Sequence, residues 1–277
     1  MAAAAADPPG AEPAGLPGAA AAFPRQIVVE DQDALGEEAG GIILERIAEA
    51  LAARGRASVI LAGGSTPRVM HTWLAGNIRG RNLPIGGITW YLGDERWVPV
   101  GDPQSNEGMA RDTLLGPIGA PEDTIASWGA GTGDPVDCAR RYGETVRARL
   151  GPEVPDVLVL GIGADGHTAS LFPGSTAFLP DGRRIAVGPR LPGTAAAIKG
   201  GNTPDWRLTL CPGVLRSARH VVFLVSGADK TAAVRRAVNG DPLTPAAWIR
   251  GGATTFVVTR DAAGSADTGY GPDIRRA

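Results

Sequence analysis

Residues 157–175 read VLVLGIGADGHTASLFPGS, in which an apolar run leads directly into the glycines Gly161, Gly163 and Gly166. An unbroken apolar run of this length is typical of a strand that is buried on both faces of a parallel sheet. A glycine-rich turn after such a strand lies at its carboxyl end, where open α/β sheets bind their ligands. This stretch therefore predicts a parallel sheet with a functional turn at one edge.

The rest of the chain repeats this alternation of short apolar runs and helical segments. Strands are predicted at residues 26–30, 57–63, 88–94, 156–163, 184–188, 220–227 and 254–259. Asp33 is predicted to open a helix that ends before Gly55, and Asp134 with Pro135 to open one that ends before Gly151. The alternation predicts a single-domain, Rossmann-like α/β fold with a doubly wound, mostly parallel sheet and helices on both faces.

Four polar, glycine-rich segments each follow a predicted strand. They read GGSTP at 63–67, GDER at 93–96, GIGADGH at 161–167 and SGADK at 226–230. The carboxyl ends of parallel strands meet at one edge of a sheet, so these segments are expected to lie close together. The sequence therefore predicts one binding site at that edge.

Composition and charge limit the classes of function. The 277 residues carry a formal net charge of −2, which does not favour nucleic acid, because phosphate backbones select basic surfaces. Cys138 and Cys211 are too few for a disulfide framework and lack metal-ligand spacing. No apolar run approaches the roughly 18 residues of a membrane span. We expect a cytoplasmic protein with no metal, no membrane partner and no nucleic-acid partner.

The composition also divides the chain into three parts. Residues 1–24 are rich in Ala, Pro and Gly and have no basic segment, which predicts a disordered leader rather than a signal peptide. Residues 25–260 are predicted to form one α/β domain. Residues 261–277 are rich in Gly and Asp and are expected to form a frayed tail.

The GxGxxG pattern also occurs in dinucleotide-binding turns, but its context disfavours that interpretation. Such a turn needs a long helix after the third glycine and an acidic residue at a strand end about 20 residues later. Pro173 and Gly174 would end a helix within two turns of Gly166, and residues 178–184 have the composition of a turn. A dinucleotide is therefore not expected.

The second interpretation of this turn uses His167. An imidazole titrates near neutral pH and suits a general base, and a carboxylate such as Asp165 can fix its tautomer. An alternative remains open, in which Asp165 caps a helix that starts near Gly166 and His167 lies in the first turn of that helix without a catalytic role. His71 and His220 are interpreted as structural.

The segment Gly63, Gly64, Ser65, Thr66 combines two flexible residues with two hydroxyls ahead of a helix. Backbone N–H groups at a helix N-terminus, together with hydroxyls, favour a phosphate or carboxylate ligand. The segment lacks the lysine of a nucleotide P-loop, so a sugar phosphate is preferred over a triphosphate. The alternative is an ordinary Ser/Thr N-cap with a proline in the first turn.

Two cations in these turns are candidates for anion binding. Arg96 could clamp an anion, or could pair with its acidic neighbours Asp94 and Glu95. Lys230 stands early in a predicted helix, where a cation gains nothing from the helix dipole and invites an anionic partner. A solvated lysine remains the alternative for Lys230.

Four motifs together resemble the glucosamine-6-phosphate isomerase/6-phosphogluconolactonase family. They are LAGGSTPRVM at 61–70, GDERWVPVGDPQSN at 93–106, LGIGADGHTASLFPGS at 160–175 and FLVSGADKTAAVRR at 223–236. Deaminase members of the family typically continue with Asn-Glu-Pro after the DGH element, whereas Phe172 stands where that acidic residue would fall. GDERWVP likewise replaces the acid-Tyr version of the deaminases. Both departures favour the lactonase branch.

The resemblance implies hydrolysis of 6-phospho-D-glucono-1,5-lactone, the second step of the oxidative pentose phosphate pathway, without a cofactor or an obligatory metal. It implies that His167 activates water and that Asp165 positions His167 or the substrate. The substrate-binding residues implied are Gly63, Gly64, Ser65, Thr66, Arg96, Gly166, Arg207 and Lys230. Glucosamine-6-phosphate deaminase/isomerase activity, or a non-catalytic sugar-phosphate sensor on the same fold, stays open, as does the choice of monomer or dimer.

Overall fold

The computed structural model describes residues 24–200, 203–264 and 274–276. Residues 1–23 of the predicted leader and most of the predicted tail lie outside these ranges. Within them, the strands are β1 (Arg25–Val29), β2 (Ala57–Leu61), β3 (Ile88–Leu92), β4 (Asp94–Arg96), β5 (Val157–Gly161), β6 (Ser175–Phe178), β7 (Arg184–Ala186), β8 (Ala195–Gly200), β9 (Thr203–Leu210), β10 (His220–Val225), β11 (Ala253–Thr259) and β12 (Ile274–Arg276). The helices are α1 (Gln32–Arg54), α2 (Ser65–Ile78), α3 (Asn106–Ala110), α4 (Gly116–Ile118), α5 (Pro135–Leu150), α6 (Pro212–Ser217), α7 (Thr231–Val238), α8 (Pro245–Trp248) and α9 (Arg260–Ala263).

The central sheet is parallel, which confirms the predicted α/β class. Its seven described strands lie in the order β12-β1-β11-β10-β5-β2-β3, and every neighbouring pair is parallel. The first four residues of β5, Val157 to Leu160, are all buried, as an unbroken apolar run requires in a sheet covered on both faces. None of the helices in the described part of the chain is both long and apolar enough to cross a bilayer.

The strand order reverses between β2 and β5. From β2 the chain continues to β3 on one side, whereas from β5 it continues to β10 on the other side. The turns that follow β2 and β5 therefore leave the sheet in opposite directions and open a crevice between them. This is the position at which doubly wound sheets bind ligands.

Helix ends follow local capping chemistry, with one correction to the prediction. Helix α1 is capped by Asp31 rather than Asp33, because Asp31 has extended backbone and its Oδ1 accepts from the N–H of Ala34 at 2.9 Å. Asp33 lies inside the first turn, where its charge complements the helix dipole. Helix α5 begins as predicted, with the carboxylate of Asp134 accepting from two backbone N–H groups.

A second sheet was not predicted. Its five described strands lie in the order β4-β9-β8-β6-β7 and pair antiparallel. The predicted strand at 184–188 belongs to this sheet as β7 rather than to the parallel one. The alanine-rich sequence of β8, AAAIKG, has low strand propensity, so nothing local identifies it as a strand. Helix α5 packs behind β8 and β9 and supports this sheet.

The predicted tail contains regular structure where it is described. Residues 260–263 form α9, and β12 pairs in parallel with β1 at the edge of the central sheet. Backbone hydrogen bonds to β1 hold β12 at the edge of the sheet. Such pairing depends on the neighbouring strand, so the hydrophobic pattern of residues 274–276 does not predict it. The structure therefore differs from the expected frayed tail at residues 274–276.

Candidate active site

The four polar turns meet in one cavity at the carboxyl edge of the parallel sheet. Its volume is about 390 Å³, within the usual range for small-molecule sites of about 300–1,000 Å³. The lining includes Gly63, Gly64, Ser65, Thr66, Arg96, His167, Arg207 and Lys230. Asp165 and Gly166 contribute to the turn that carries His167 but are not part of the lining. All the predicted site residues are thus gathered in or directly behind this cavity.

His167 is held by Asp165 at two points. One oxygen of Asp165 accepts from the backbone N–H of His167 at 3.0 Å and lies 2.6 Å from its ring Nδ1. A carboxylate can only accept, so Nδ1 carries the proton and Nε2 is left with a free lone pair. Residues 162–174 contain no helix, so the interpretation of Asp165 as a helix cap is wrong. The ring of Phe172 packs beside the imidazole, with centroids 4.3 Å apart.

Gly163 makes room for this histidine ring. A Cβ atom added to Gly163 would lie 2.1 Å from Nδ1 of His167 and 2.7 Å from Oδ1 of Asp165. The turn is closed by two backbone bonds of 2.9 Å, from the N–H of Gly163 to the carbonyl of His167 and from the N–H of Gly166 to the carbonyl of Gly163. The turn thus folds back on itself, and the imidazole of His167 lies over Gly163.

The amino end of α2 faces the same cavity without a side-chain cap. The N-cap residue is Gly64, with φ of 105°, and Ser65 and Thr66 are the first helical residues. The alternative Ser/Thr N-cap is therefore wrong, because the cap residue has no side chain to occupy the N–H groups. An uncapped helix N-terminus carries partial positive charge and donates to anions.

A buried network that sequence reasoning missed supports this end of the cavity. A Cβ atom on Gly63 would lie 1.7 Å from Oδ1 of Asn106, so the Asn106 amide packs directly on that glycine. Its Nδ2 donates to the carbonyl of Asp94 at 2.9 Å. Ser170 Oγ donates to Oδ2 of Asp94 at 2.7 Å. The amide of Asn106 and the carboxylate of Asp94 both line the cavity in fixed orientations.

Glu95 organises the loop between β4 and α3. It is buried, and its carboxylate accepts from the N–H groups of Arg96, Asn106 and Glu107 at 2.7–2.8 Å and from Ser105 Oγ at 3.0 Å. Burial raises the pKa of Glu95, and these hydrogen bonds oppose that rise. Glu95 therefore serves as the fixed point that holds Arg96 and Asn106 at the cavity.

Arg96 and Arg207 face each other across two strands. They are directly paired in the antiparallel register of β4 and β9. The guanidinium of Arg96 donates to the carbonyl of Gln104 at 2.6 Å, and it forms no ion pair with a described carboxylate, so pairing with its acidic neighbours is wrong. Burial lowers the pKa of Arg207, and the charge of Arg96 lowers it further. Like charges directly opposite each other destabilise a sheet.

Lys230 approaches the cavity from a third side. It ends the short turn 228–230 after β10 and directly precedes α7. With Arg96 and Arg207 it gives the described cavity lining three cations against the single carboxylate of Asp94. The cavity therefore attracts anions with more than one negative charge.

The other two histidines lie away from this site. His71 is fully buried on α2 with Nδ1 3.3 Å from Oγ1 of Thr113, and burial lowers its pKa to about 3. His220 begins β10, at the opposite edge of the sheet, and burial lowers its pKa as well. Sequence reasoning passed over Asn106 and Ser170 as site residues and considered Asp94 only as a partner of Arg96. Asn106 is the last residue of the family motif at 93–106, which was the one sequence signal for it.

Comparisons with known proteins identify the family. The family described as glucosamine-6-phosphate isomerases/6-phosphogluconolactonase matches residues 30–258. A 6-phosphogluconolactonase of Synechocystis is 35% identical over 212 residues, covering 75% of this chain and 82% of the relative. One of Streptomyces coelicolor is 32% identical over 254 residues, covering 87% and 94%. The solved structure of 6-phosphogluconolactonase from Trypanosoma cruzi superposes with a TM-score of 0.72 at 27% identity, covering 88% and 97%. This chain belongs to the glucosamine-6-phosphate isomerase/6-phosphogluconolactonase family.

Proposed function

We propose that this protein hydrolyses 6-phospho-D-glucono-1,5-lactone to 6-phosphogluconate. The observation that carries the proposal is the placement of a carboxylate-oriented histidine and three cations in one cavity. A lactone needs a base for the attacking water, and a phosphate ester needs cations. The relatives at 32–35% identity bear the name of this activity.

The reaction follows from the orientation of His167. Its Nε2 accepts a proton as a water oxygen attacks the lactone carbonyl carbon, which becomes tetrahedral while the carbonyl oxygen becomes an oxyanion. When the bond from that carbon to the ring oxygen breaks, the imidazolium returns the proton to the leaving oxygen. Asp165 keeps Nδ1 protonated and stabilises the imidazolium between these steps. The uncapped N–H groups of Ser65 and Thr66 are suitable donors for the oxyanion.

The charge of the cavity matches the phosphate of this substrate. A phosphate monoester carries about −1.5 to −2 charges at pH 7. Arg96, Arg207 and Lys230 exceed the carboxylate of Asp94 by two charges. A phosphate bound between Arg96 and Arg207 would offset the repulsion between their guanidinium groups, so this pair favours an anionic ligand.

Phe172 favours lactone hydrolysis over the deaminase reaction of the same family. In the sequence it stands where the family resemblance places the acidic residue of the deaminases, and in the structure its ring packs beside the imidazole of His167. An apolar ring cannot transfer a proton. Phe172 therefore cannot supply the proton transfer that an acidic residue at this position could perform.

A lactonase assay corrected for spontaneous hydrolysis tests the proposal. We expect the wild-type protein to open 6-phosphogluconolactone well above the spontaneous rate and to release no ammonia from glucosamine 6-phosphate. Ammonia release would identify a deaminase. Binding of 6-phosphogluconate without turnover would instead identify a sugar-phosphate sensor, and either outcome would overturn the proposal.

Gly163→Ala is expected to lower kcat about tenfold, because the new methyl group displaces the His167 ring from its bond to Asp165. The φ angle of Gly163 lies outside the left-handed region, so alanine fits the backbone and the melting temperature should change little. Gly213→Ala, on α6 and with open space around the added methyl, is the matched control. An unchanged kcat in Gly163→Ala would show that catalysis does not depend on this ring position.

A further inference from the structure

A segment outside the cavity packs against the back of the His167 turn. We call residues 236–246, from the end of α7 to the start of α8, the buttress. The N–H of Ala246 donates to the carbonyl of Gly166 at 3.1 Å. Nη2 of Arg236 lies 3.4 Å from the carbonyl of Asp165. The buttress thus contacts both residues that precede the histidine.

The side chain of Thr244 fills the space in which a side chain at Gly166 would lie. Gly166 has φ of 91°, and a Cβ atom added to it would lie 2.8 Å from the Cγ2 methyl of Thr244. Thr244 is only 2% exposed, so this methyl is confined against the Gly166 backbone. Close packing of this kind resists displacement in one direction, because the neighbouring atoms have no free volume to move into.

The side chain of Thr244 is itself held in one orientation. Its Oγ1 donates to Oδ2 of Asp241 at 2.9 Å, although Thr244 is the N-cap residue of α8 and could have capped that helix instead. Oδ1 of Asp241 accepts from the N–H of Leu243 at 3.0 Å. Bonding to Leu243 and Thr244 lowers the pKa of Asp241, so the carboxylate remains an acceptor at neutral pH. The hydroxyl bond and the close packing of the branched side chain together place the methyl group over Gly166.

We propose that Thr244 is a positioning residue, whose methyl group holds the turn 165–167 so that Nε2 of His167 meets the attacking water. This inference rests on the proposed function. Asp165 fixes the ring relative to its own turn, whereas Thr244 fixes that turn relative to the rest of the domain. Both alignments are needed, since displacing a reacting group by about 1 Å can cost up to about a hundredfold in rate.

Three substitutions separate the methyl contact from the rest of the loop. Thr244→Ala removes the methyl and the hydroxyl, and Thr244→Val keeps a methyl on Gly166 while removing the hydroxyl. Leu243→Ala is the matched control, because Leu243 lies in the same loop, is 82% exposed, and uses only its backbone N–H within the buttress. Steady-state kinetics and hydrogen exchange of residues 163–167 are measured on each variant.

We expect Thr244→Ala to lower kcat about tenfold with KM within about twofold, because the phosphate end of the cavity is untouched. Thr244→Val should recover most of that loss, and Leu243→Ala should match the wild type. The backbone amides of Gly163 and Gly166 should exchange faster in Thr244→Ala only. A loss confined to KM, equal losses in Thr244→Ala and Thr244→Val, or unchanged kcat and exchange in Thr244→Ala would overturn the role of Thr244.

Hydrogen exchange keeps this test separate from the test of the proposed function. If the wild-type protein opens no lactone, the proposed function fails while exchange still reports on the turn. Faster exchange in Thr244→Ala than in Leu243→Ala would then show that Thr244 stabilises the turn 165–167. Equal exchange in both variants would overturn that support, whatever the activity of the wild type.

Discussion

We expect His167→Ala to lower kcat by about 10²–10⁴-fold, because a positioned general base contributes about that factor. The affinity for 6-phosphogluconate should stay close to that of the wild type, since a base acts mainly in the transition state and adds little to binding of the ground state. The side chain is about one third exposed, so its removal leaves no large buried cavity and the fold persists. The measurements are kcat for the phosphorylated lactone and calorimetric binding of the product.

Two further variants sharpen this test. His220→Ala makes the same chemical change at the opposite edge of the sheet and should leave kcat unchanged. Asp165→Asn should approach the loss of His167→Ala, because an amide can donate to Nδ1 and stabilise the wrong tautomer. If His167→Ala kept more than about a tenth of the wild-type kcat, water activation by this residue would be ruled out.

Arg207→Gln is expected to raise KM for the phosphorylated lactone by about tenfold or more, since Arg207 is half-buried and a hydrogen bond to a charged group contributes about 1.5–3 kcal/mol. KM for unphosphorylated gluconolactone should change little, because that substrate has no phosphate to meet the guanidinium. Comparing KM for the two substrates separates the contribution of the phosphate to binding from that of the lactone ring. Arg96→Gln should behave in the same way, because it faces Arg207 across the β4/β9 pair.

The melting temperature of the ligand-free protein gives an independent check on this pair. Burial and the charge of Arg96 disfavour the guanidinium of Arg207, whereas three nearby carboxylates favour it, so Arg207→Gln should change the melting temperature little. Arg183→Gln, at the exposed hairpin between β6 and β7, is the control in the same sheet and should change neither substrate's KM. Equal rises in KM for both substrates in Arg207→Gln would place the phosphate elsewhere.

The parallel sheet and the polar turns at its carboxyl edge could be predicted, because each is signalled by residues close together in the chain. The runs at β2, β5 and β10 are mostly apolar, interrupted only by Ser58 in β2 and by His220 at the start of β10, and each is followed by a glycine-rich turn. Asp165 and His167 are two residues apart, so their pairing needed no knowledge of the fold. The capping of α1 was misplaced by two residues, because Asp31 and Asp33 carry the same cap signal and only the backbone angles distinguish them.

The second sheet could not be predicted, and much of the site depends on it. The alanines of β8 prefer helices, and only burial between β6 and β9 makes them a strand. Arg207 became a candidate through the family resemblance, since its contact with Arg96 arises from cross-strand register between distant segments. Register depends on which strands meet, and the residues of one strand do not carry that information.

Residues close together in the chain specify the polar turns that follow the parallel strands, the Asp165–His167 pair and the glycines that let these turns form. Each of these depends on residues within one short segment, where backbone propensity and hydrogen bonding act directly. The packing of Asn106 on Gly63, the pairing of Arg96 with Arg207 and the position of Thr244 next to Gly166 arise only from the tertiary fold. These contacts join segments far apart in the chain, and each contributes little free energy alone. They form because the whole sheet, with its buried apolar runs, brings the segments to one edge.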